Sequence, residues 1–392
     1  MKPPARPRAF ALVVSLVAAC ALAPFRARTQ EFRPRPLTRT PHETTNLNPT
    51  LSGDGRTVVF ESNAAPPDSN QRAGFQTMTA DLSSETLTRV AATRAPSAAV
   101  SQDGKTFAFA SLDDPLGANA DRNSEIFLHT PAGLAQLTAT LPDDPSARTS
   151  HGSFRPSISD DGRLVAFSSN RDLTGENPDR NLELFLLDTH ARSVTQLTRT
   201  TPPLESRDAK LSGDGHTVAF LRRSADDEPS LAATSDLVLY DLTSGVERVV
   251  AEKLDAPAFT YGRAVSDDGK RVVFSASTAP NTTQVFLYDG RNGRVRQLTS
   301  LSSRTTDVPP HPTISGDGSR VAFATRRNPV RANTDGGVEL FLYDIPTLTL
   351  TQITDAPAAA TAEVVSSLDD SGSRVAFSFP RALASPEVPP DF

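Results

Sequence analysis

A ten-residue element recurs seven times along this chain at nearly constant spacing, and it limits the fold more than any other feature. The first copy reads Leu51-Ser-Gly-Asp-Gly-Arg-Thr-Val-Val-Phe60. The other copies occupy residues 100–109, 158–167, 211–220, 265–274, 314–323 and 368–377. Aligned on the glycine of the Asp-Gly pair or its equivalent, the copies lie 49 to 58 residues apart. Such spacing is typical of repeat proteins, in which each unit buries its apolar faces against its neighbours.

Each copy predicts a β-hairpin. The Asp-Gly pair supplies the positive φ of a tight turn without steric cost, and the Ser and Asp side chains cap the backbone of that turn. The triplet after the turn, such as Val321-Ala322-Phe323, places apolar residues on both faces of a strand. Strands of this kind are buried on both sides, as when twisted sheets stack around an axis. With 20 Phe, 4 Tyr and no Trp, phenylalanine must supply most of the large core side chains.

A second apolar element follows five of the hairpins. Its copies are Ile126–His129, Leu184–Asp188, Leu237–Asp241, Val285–Asp289 and Leu340–Asp344. Most of them lead into Gln-Leu-Thr or Gln-Ile-Thr, at residues 136–138, 196–198, 297–299 and 352–354. The two elements supply four strands per unit, and no helical periodicity competes with them. We therefore predict an all-β fold, a single β-propeller of about seven four-stranded blades over residues 36–380.

The ends of the repeat array leave the last blade incomplete. Pro36-Leu37-Thr38-Arg39 resembles an isolated copy of the Gln-Leu-Thr strand. We expect this N-terminal strand to join the last blade and close the ring. The tail, residues 381–392, is too rich in proline to supply the strand that is still missing. The alternative is a ring of six blades with an extra hairpin.

Residues 1–20 are expected to form a signal peptide. A positive segment with Lys2, Arg6 and Arg8 precedes the uncharged stretch from Ala9 to Ala23. Leu16-Val-Ala-Ala-Cys20 resembles a bacterial lipobox, in which Cys20 would carry the lipid, while ordinary cleavage after small residues is the alternative. Residues 21–35 form a Pro/Arg-rich linker. Both interpretations predict an exported protein, either periplasmic or held at the cell envelope by a lipid anchor alone.

Charge and motifs narrow the function classes. The formal net charge of −6 argues against nucleic acid as a partner, because phosphate binding needs a clustered positive surface. A single cysteine excludes a disulfide framework and a cysteine-based metal site. The chain has no nucleophile elbow, Walker loop, dinucleotide fingerprint or His-Glu-x-x-His motif. No catalytic residue is assigned, and we expect a monomer.

At the level of these motifs, the chain resembles the TolB-like, WD40-like (PD40) propeller repeats of bacterial periplasmic proteins. Those repeats carry a Ser-Pro-Asp-Gly hairpin, an Ile-Ala-Phe-type strand and a strand leading to Leu-Thr. Here the proline is replaced, for instance by Gly53, Gln102 or Asp160, and the frequent tryptophan is absent. Since few residues separate Cys20 from the first hairpin, we expect a relative that consists of the propeller alone, with no Tol partner implied.

Two groups of residues suggest a metal site. His151 and His311 precede inner hairpins and could meet at one channel mouth, but the sequence favours the alternative that they are solvated loop histidines. Three stretches, Asn119–Glu125, Asn177–Glu183 and Asn333–Glu339, alternate oxygen-bearing side chains as part of a calcium loop does. The candidate ligands in the first two are Asp121, Asn123, Glu125, Asp179, Asn181 and Glu183. The alternative is that these residues only form turns. Apart from this calcium, no cofactor is expected.

Candidate binding residues lie four positions before the Ser of the hairpin, at the start of the innermost strand. The polar residues at this position are Asn48, Arg155, Asp208 and His311. In a propeller these strand starts surround the channel mouth, so they would form either a ligand surface or a solvated rim. We therefore expect a non-catalytic module that binds a protein, a peptide or an envelope glycan at one face. The alternative is a propeller-type polysaccharide lyase or hydrolase with its site at the mouth.

Overall fold

The computed structural model describes residues 34–38, 44–64, 74–96, 98–141, 151–224, 234–302, 309–355 and 364–379. In these residues the chain forms 25 β-strands and no helix. The described residues accordingly contain no helix that could span a membrane. The predicted signal peptide with Cys20, most of the linker and the tail lie outside the described residues.

Each of the first three repeats forms a four-stranded antiparallel sheet whose strands are adjacent in chain order. The first blade contains β1 (Asn46–Leu51), β2 (Thr57–Ser62), β3 (Gln76–Asp81) and β4 (Thr86–Ala91). The second contains β5 (Ala99–Val100), β6 (Phe107–Ser111), β7 (Glu125–Thr130) and β8 (Gly133–Gln136). The third contains β9 (Ser153–Ile158), β10 (Leu164–Ser169), β11 (Glu183–Asp188) and β12 (Ser193–Gln196).

The fourth and fifth repeats share one seven-stranded sheet. Its strands are β13 (Leu204–Leu211), β14 (Thr217–Ser224), β15 (Thr234–Asp241), β16 (Val246–Ala258), β17 (Arg271–Ala279), β18 (Thr282–Asp289) and β19 (Arg294–Gln297). The two blades join because β16 is 13 residues long and pairs with β15 and then with β17. The sixth repeat forms β20 (Thr313–Ile314), β21 (Arg320–Thr325), β22 (Glu339–Asp344) and β23 (Thr349–Gln352). The seventh forms the hairpin of β24 (Ser366–Leu368) and β25 (Val375–Phe377).

The core lies between neighbouring blades, as the apolar character of both strand faces predicts. One cluster joins Ala108 and Ile126 of the second blade to Val165 and Phe167 of the third. Phenylalanines on paired strands stack in four blades, with centroids 5.4 to 5.9 Å apart, as in Phe167–Phe185. The expectation that phenylalanine marks the core is confirmed, since nine of the twelve largest fully buried side chains in the described residues are Phe.

The seven hairpin turns form a closed circuit of backbone hydrogen bonds, each 2.8 to 3.0 Å long. In order, the donor amides and acceptor carbonyls are Asp54 to Gln102, Gln102 to Asp160, Asp160 to Gly213, Asp214 to Asp267, Asp267 to Gly316, Asp317 to Asp370 and Asp370 to Gly53. The last bond returns to the first repeat. The predicted propeller fold is confirmed, and the hairpin of the seventh repeat occupies the seventh position of the circuit.

The expected N-terminal closing strand is not formed in residues 34–38, which adopt no strand conformation. Pro34 and Pro36 lack the N–H groups that a ladder needs. Leu37 instead packs on a cluster that includes Ala376 of β25, and Thr38 accepts a hydrogen bond from the Asn46 amide. The last residue of the predicted strand, Arg39, lies outside the described residues.

Candidate functional site

One end of the propeller axis is formed by one residue from each hairpin. It is the residue that directly follows the Ser or Asp with which the turn begins. Around the ring these residues are Gly53, Gln102, Asp160, Gly213, Asp267, Gly316 and Asp370. Carboxyl oxygens of the three aspartates lie within 4.8 Å of one another. A Cβ at position 53 would lie 2.5 Å from both carboxyl oxygens of Asp370, and Gly213 and Gly316 meet the carboxylates as closely. Glycine at alternate positions therefore makes room for three converging carboxylates.

The guanidinium of Arg263 lies between these carboxylates. It forms ion pairs with Asp370 at 2.7 Å and with Asp160 at 3.6 Å, and it donates a short hydrogen bond to Asp267. The Arg263 side chain is only 16% exposed, so these charges interact with little solvent screening. We call these four residues the axial plug. They close this end of the channel and already supply a cation at the centre of the acidic group.

Burial and mutual repulsion raise the pKa values of two aspartates of the plug. Burial raises the pKa of Asp267 to about 7, with the charges of Asp160 and Asp370 adding to the effect and Arg263 opposing it. Burial also raises the pKa of Asp160. For Arg263, burial works against the charged form, but the three carboxylates outweigh it and its pKa is raised. The plug therefore holds a permanent guanidinium next to an aspartate that can exchange a proton near neutral pH.

A small cavity lies behind the plug, within the channel. Its lining includes Ser157, Asp160, Lys210, Tyr261 and Ser367. The cavity volume is about 50 Å³, which is room for a few water molecules. Burial lowers the pKa of Lys210 to about 8, and the nearby positive charge of Arg155 acts in the same direction. The channel interior is thus suited to water and not to a ligand of the size of a sugar.

The four predicted rim residues share an unusual backbone conformation. Their φ values are positive: 52° for Asn48, 49° for Arg155, 59° for Asp208 and 39° for His311. Three of them coincide with irregularities in the pairing of β1, β9 and β13 with their neighbouring strands. Left-handed residues and bulges redirect side chains, and both are frequent beside functional sites. The sequence placed these residues at one position, but it gave no sign of the conformation.

The structure brings together two of the four rim residues. Arg155 donates to Asp208 at 2.9 Å, across the third and fourth blades. Asn48 instead donates to Glu61 at 2.7 Å, and His311 stacks on Tyr261 with centroids 6.4 Å apart. Among the described residues, neither His151 nor His311 belongs to a group of side chains with metal-ligand spacing.

The calcium candidates form hydrogen bonds within their own blades. Buried Glu125 accepts from the Thr140 amide and hydroxyl, both at 2.6 Å, and from the Thr138 hydroxyl. The equivalent Glu183 accepts from Thr198 and Thr200, and the amides of Asn123 and Asn181 donate to Thr140 and Thr200. Asp121 is partly buried and Asp179 is exposed. In the third stretch, Glu339 likewise accepts from the Thr354 hydroxyl. Because hydroxyl and amide donors already use glutamate oxygens, this geometry favours the structural interpretation of these stretches.

Several charged residues of the site were not singled out from the sequence. Arg263 and Lys210 carry no motif. Besides Asp267, Arg263 pairs with Asp160 and Asp370, each more than 100 positions away, and Lys210 donates to Gly262, 52 positions away. Arg207, Glu205 and Arg223 extend the contacts of Asp208 at the mouth. The available signal was the alternation of Asp and Gly at one turn position, which becomes meaningful once the ring is closed.

Comparisons with known proteins support the fold. No protein-family model matches the chain, and no curated protein matches it. The propeller domain of the trilobed protease of Pyrococcus furiosus is 14% identical, with a TM-score of 0.54 over 83% of this chain and 89% of that one. An oligogalacturonate lyase of Vibrio parahaemolyticus is 15% identical, with a TM-score of 0.51 over 84% and 78%. A structure described as TolB of Agrobacterium tumefaciens is 18% identical, with a TM-score of 0.44 over 66% and 81%. At these identities the first two likenesses show a propeller fold, and the third is too loose to add to the argument.

Proposed function

We propose that this chain is an exported, non-catalytic β-propeller that binds a protein, peptide or envelope component at the mouth defined by Asn48, Arg155, Asp208 and His311. The observation that carries this proposal is the left-handed conformation of four polar residues at one equivalent position. Such a conformation costs on the order of 1–2 kcal/mol for many side chains, although Asn, Asp and His tolerate it best. Its recurrence at the rim, with Arg155 among the four, supports a role in presenting polar groups to a ligand.

The difference between the two ends of the channel supports this choice of face. The turn end is filled by the axial plug, whose arginine and aspartates satisfy one another. The mouth end carries Arg155, whose side chain is 48% exposed. A ligand approaching along the axis would therefore meet available polar groups at the mouth.

The proposed location rests on the N-terminal sequence. We place the protein outside the cytoplasm, as a TolB-like propeller held at the envelope by a lipid on Cys20. Labelling of growing cells with a radioactive fatty acid should mark the wild-type chain and leave Cys20→Ser unmarked. Equal labelling of both chains would remove the anchor from the proposal and leave export to be tested by fractionation.

An enzymatic function, as a polysaccharide lyase or hydrolase, is the second candidate. Lys210 favours it, because an amine whose pKa is about 8 is a usable proton acceptor and lies close to Arg155 and Asp208. The cavity argues against an enzymatic function, because it is too small for a sugar unit. Incubation of the protein with polygalacturonate should release neither unsaturated nor reducing ends. Release that Lys210→Met abolishes would establish the enzyme instead.

The binding function is tested by capture from envelope extracts with the full chain and its variants. Arg155→Ala and His311→Ala change the mouth, whereas Arg56→Ala changes an exposed arginine in the hairpin turn of the first blade, at the other end. We expect one or more envelope components to be retained by wild type and Arg56→Ala and to be lost from the mouth variants. Retention of the same components by all four proteins would contradict the assignment of this face.

A further inference from the structure

Five charged side chains at the mouth form a chain of alternating sign. Arg155 contacts Asp208 at 2.9 Å, and Arg207 contacts Asp208 at 3.4 Å. Arg207 also contacts Glu205 at 3.5 Å, which in turn pairs with Arg223 at 2.6 Å. We call these residues the arginine network. Three guanidiniums share two carboxylates, so the network has a surplus positive charge in a chain whose formal net charge is −6.

The carboxylates of the network are the buried members and the guanidiniums are the accessible ones. The Asp208 side chain is 10% exposed, compared with 48% for its partner Arg155. Arg207 and Arg223 are likewise more exposed than Glu205. A guanidinium has five N–H donors in a planar fork, and the contacts within the network use only some of them. The carboxylates thus hold the arginines in place, while unused donors remain available at the surface.

The fourth blade is lengthened where this network lies. β13 and β14 are eight residues long, whereas the two inner strands of the first and third blades are six. Glu205 and Arg223 form a cross-strand pair in this extension. The two residues of this ion pair lie directly opposite each other in the register of the strands, so the strands fix the geometry of the pair. The extension therefore adds charged side chains to one side of the mouth.

An aromatic side chain lies on the other side of the same opening. Tyr261 is 37% exposed and lines the channel cavity together with Lys210. Lys210 connects the two sides, because its ammonium group donates to the Gly262 carbonyl at 3.3 Å and feels the charges of Arg155 and Asp208. Exposed aromatic rings with a few convergent polar groups are typical of sites for small organic units.

We propose that the arginine network recognises the carboxylates of an acidic sugar chain, with Tyr261 contacting one of its rings; this rests on the proposed binding function. Guanidinium forks match carboxylates in a bidentate geometry, which an ammonium group cannot reproduce. Several guanidiniums in a row suit a polymer whose negative charges repeat along its length. The buried Asp208 and Glu205 orient the arginines and do not contact the ligand.

A sugar chain fits these observations better than an acidic peptide does. Peptides are usually held by an exposed strand edge, an apolar groove or a pocket for a terminus. In the extension, β14 is paired on both sides, with β13 and β15. The edge strand β13 is interrupted by the bulge at Asp208, and its Ser206 amide already donates to the Leu182 carbonyl at 2.8 Å. The cavity beneath has room for only a few waters. The features that remain for recognition are the charges of the arginine network and the ring of Tyr261. These suit a polar, ring-containing polyanion.

The experiment measures binding of the full chain to three soluble polymers by isothermal titration calorimetry at low salt. The probes are alginate as an acidic sugar chain, dextran as a neutral one, and poly-L-glutamate as an acidic peptide. We expect binding to alginate alone. Arg155→Ala and Arg223→Ala should each weaken it at least tenfold, and Arg155→Lys should also weaken it because the fork is lost. Arg56→Ala should bind like wild type. Thermal unfolding of each variant checks that the fold is retained.

Other outcomes overturn the inference and separate it from the proposed function. Equal binding of alginate and poly-L-glutamate, or binding that Arg155→Lys preserves fully, would show that the site binds polyanions only by non-specific electrostatic attraction. Stronger binding of poly-L-glutamate would assign a peptide ligand. No binding to any probe, with mouth-dependent capture of an envelope component, would refute the acidic sugar alone. No binding and no capture would refute both.

Discussion

Among single residues, Arg263 has the largest number of charged partners in the described part of the molecule. Its guanidinium contacts acids from the third, fifth and seventh repeats, which are up to 210 positions apart in the chain. Isolated charges are costly to bury, but a buried group with matched partners is tolerated as long as the set is complete. Arg263 therefore stabilises the ring mainly by neutralising carboxylates that the turns bring together in any case.

Replacement of this arginine should destabilise the protein strongly. In Arg263→Met the three carboxylates lose their cation, and we expect the free energy of unfolding to fall by about 3–5 kcal/mol. Arg199→Met is the matched control, because Arg199 pairs with Glu176 and both side chains are half exposed. Its loss should cost no more than about 1 kcal/mol. Urea denaturation measures both; equal costs would contradict the role of the plug.

The raised pKa of Asp267 predicts an unusual pH dependence of stability. Its pKa is about 7 in the folded protein and 3.8 as a model value, so between these values the folded state holds a proton that the unfolded chain releases. The free energy of unfolding must then fall as pH rises from about 4 to 7 and level off above that range. Asp267→Asn removes this contribution.

The measurement is thermal unfolding of wild type and Asp267→Asn from pH 5 to pH 8. The melting temperature of wild type should fall relative to that of the variant as pH rises. Groups outside the plug, such as His129 with its lowered pKa, are present in both proteins and cancel in the difference. A constant difference between the two curves would show that Asp267 does not titrate in this window.

Among the structural elements, the Gln-Leu-Thr strand is explained by one recurring arrangement. In the third blade the Thr198 hydroxyl accepts from the Leu184 amide and donates to Glu183, while the Gln196 side chain donates to the Thr198 carbonyl. The second and sixth blades repeat this with Glu125 and Glu339, and the fifth uses Gln284 in place of the glutamate. Thr and its acidic or amide partner thus attach the outermost strand to the third strand of each of these blades.

This arrangement predicts which substitutions of Glu183 are tolerated. Glu183→Ala leaves the Thr198 hydroxyl and the Thr200 amide without their acceptor, and we expect a loss of about 2–4 kcal/mol. Glu183→Gln should cost less than about 1 kcal/mol, because Gln284 makes the same contact with Thr299 at 2.7 Å. Chemical denaturation distinguishes the two. A large and equal loss in both variants, or a strong stabilisation of wild type by calcium, would favour a metal site instead.

At the scale of the whole molecule, the ring closes where the seventh repeat meets the first. Besides the turn circuit, the Leu51 amide donates to the Ser367 hydroxyl at 3.1 Å, and Arg374 donates to the Gly55 carbonyl at 2.6 Å. Arg271 and Arg320 make the equivalent bond to Gly318 and Gly372 at the two preceding junctions. Only the last of these junctions joins segments that are more than 300 residues apart in the chain.

The closing junction should be the easiest to open. Arg374→Ala and Arg320→Ala each remove the same bond, but the chain itself holds the sixth and seventh repeats together and keeps their effective concentration high. We expect hydrogen exchange to increase more at β1 and β24 in Arg374→Ala than at β20 and β24 in Arg320→Ala. Equal increases at the two junctions would show that closure adds no special weakness.

The sequence alone determined the repeat, the hairpins, the strand order within each blade and the interface position of the phenylalanines. Each of these depends on neighbouring residues: Asp-Gly sets a turn, and apolar residues at alternate positions set a buried strand. It also placed Asn48, Arg155, Asp208 and His311 at one equivalent position, since equivalent repeat positions fall on one ring. Local patterns were sufficient here because they encode local geometry.

What these positions do depends on contacts that exist only in the folded ring. Asp160, Asp267 and Asp370 look like ordinary turn residues until the closed ring brings their carboxylates within 4.8 Å and places Arg263 between them. The left-handed conformation of Arg155 and the contacts of Glu183 could not be inferred from the sequence either, because both depend on groups supplied by other strands. Long-range charge interactions and bulges arise from how distant segments meet, and no short-range pattern in the chain records them.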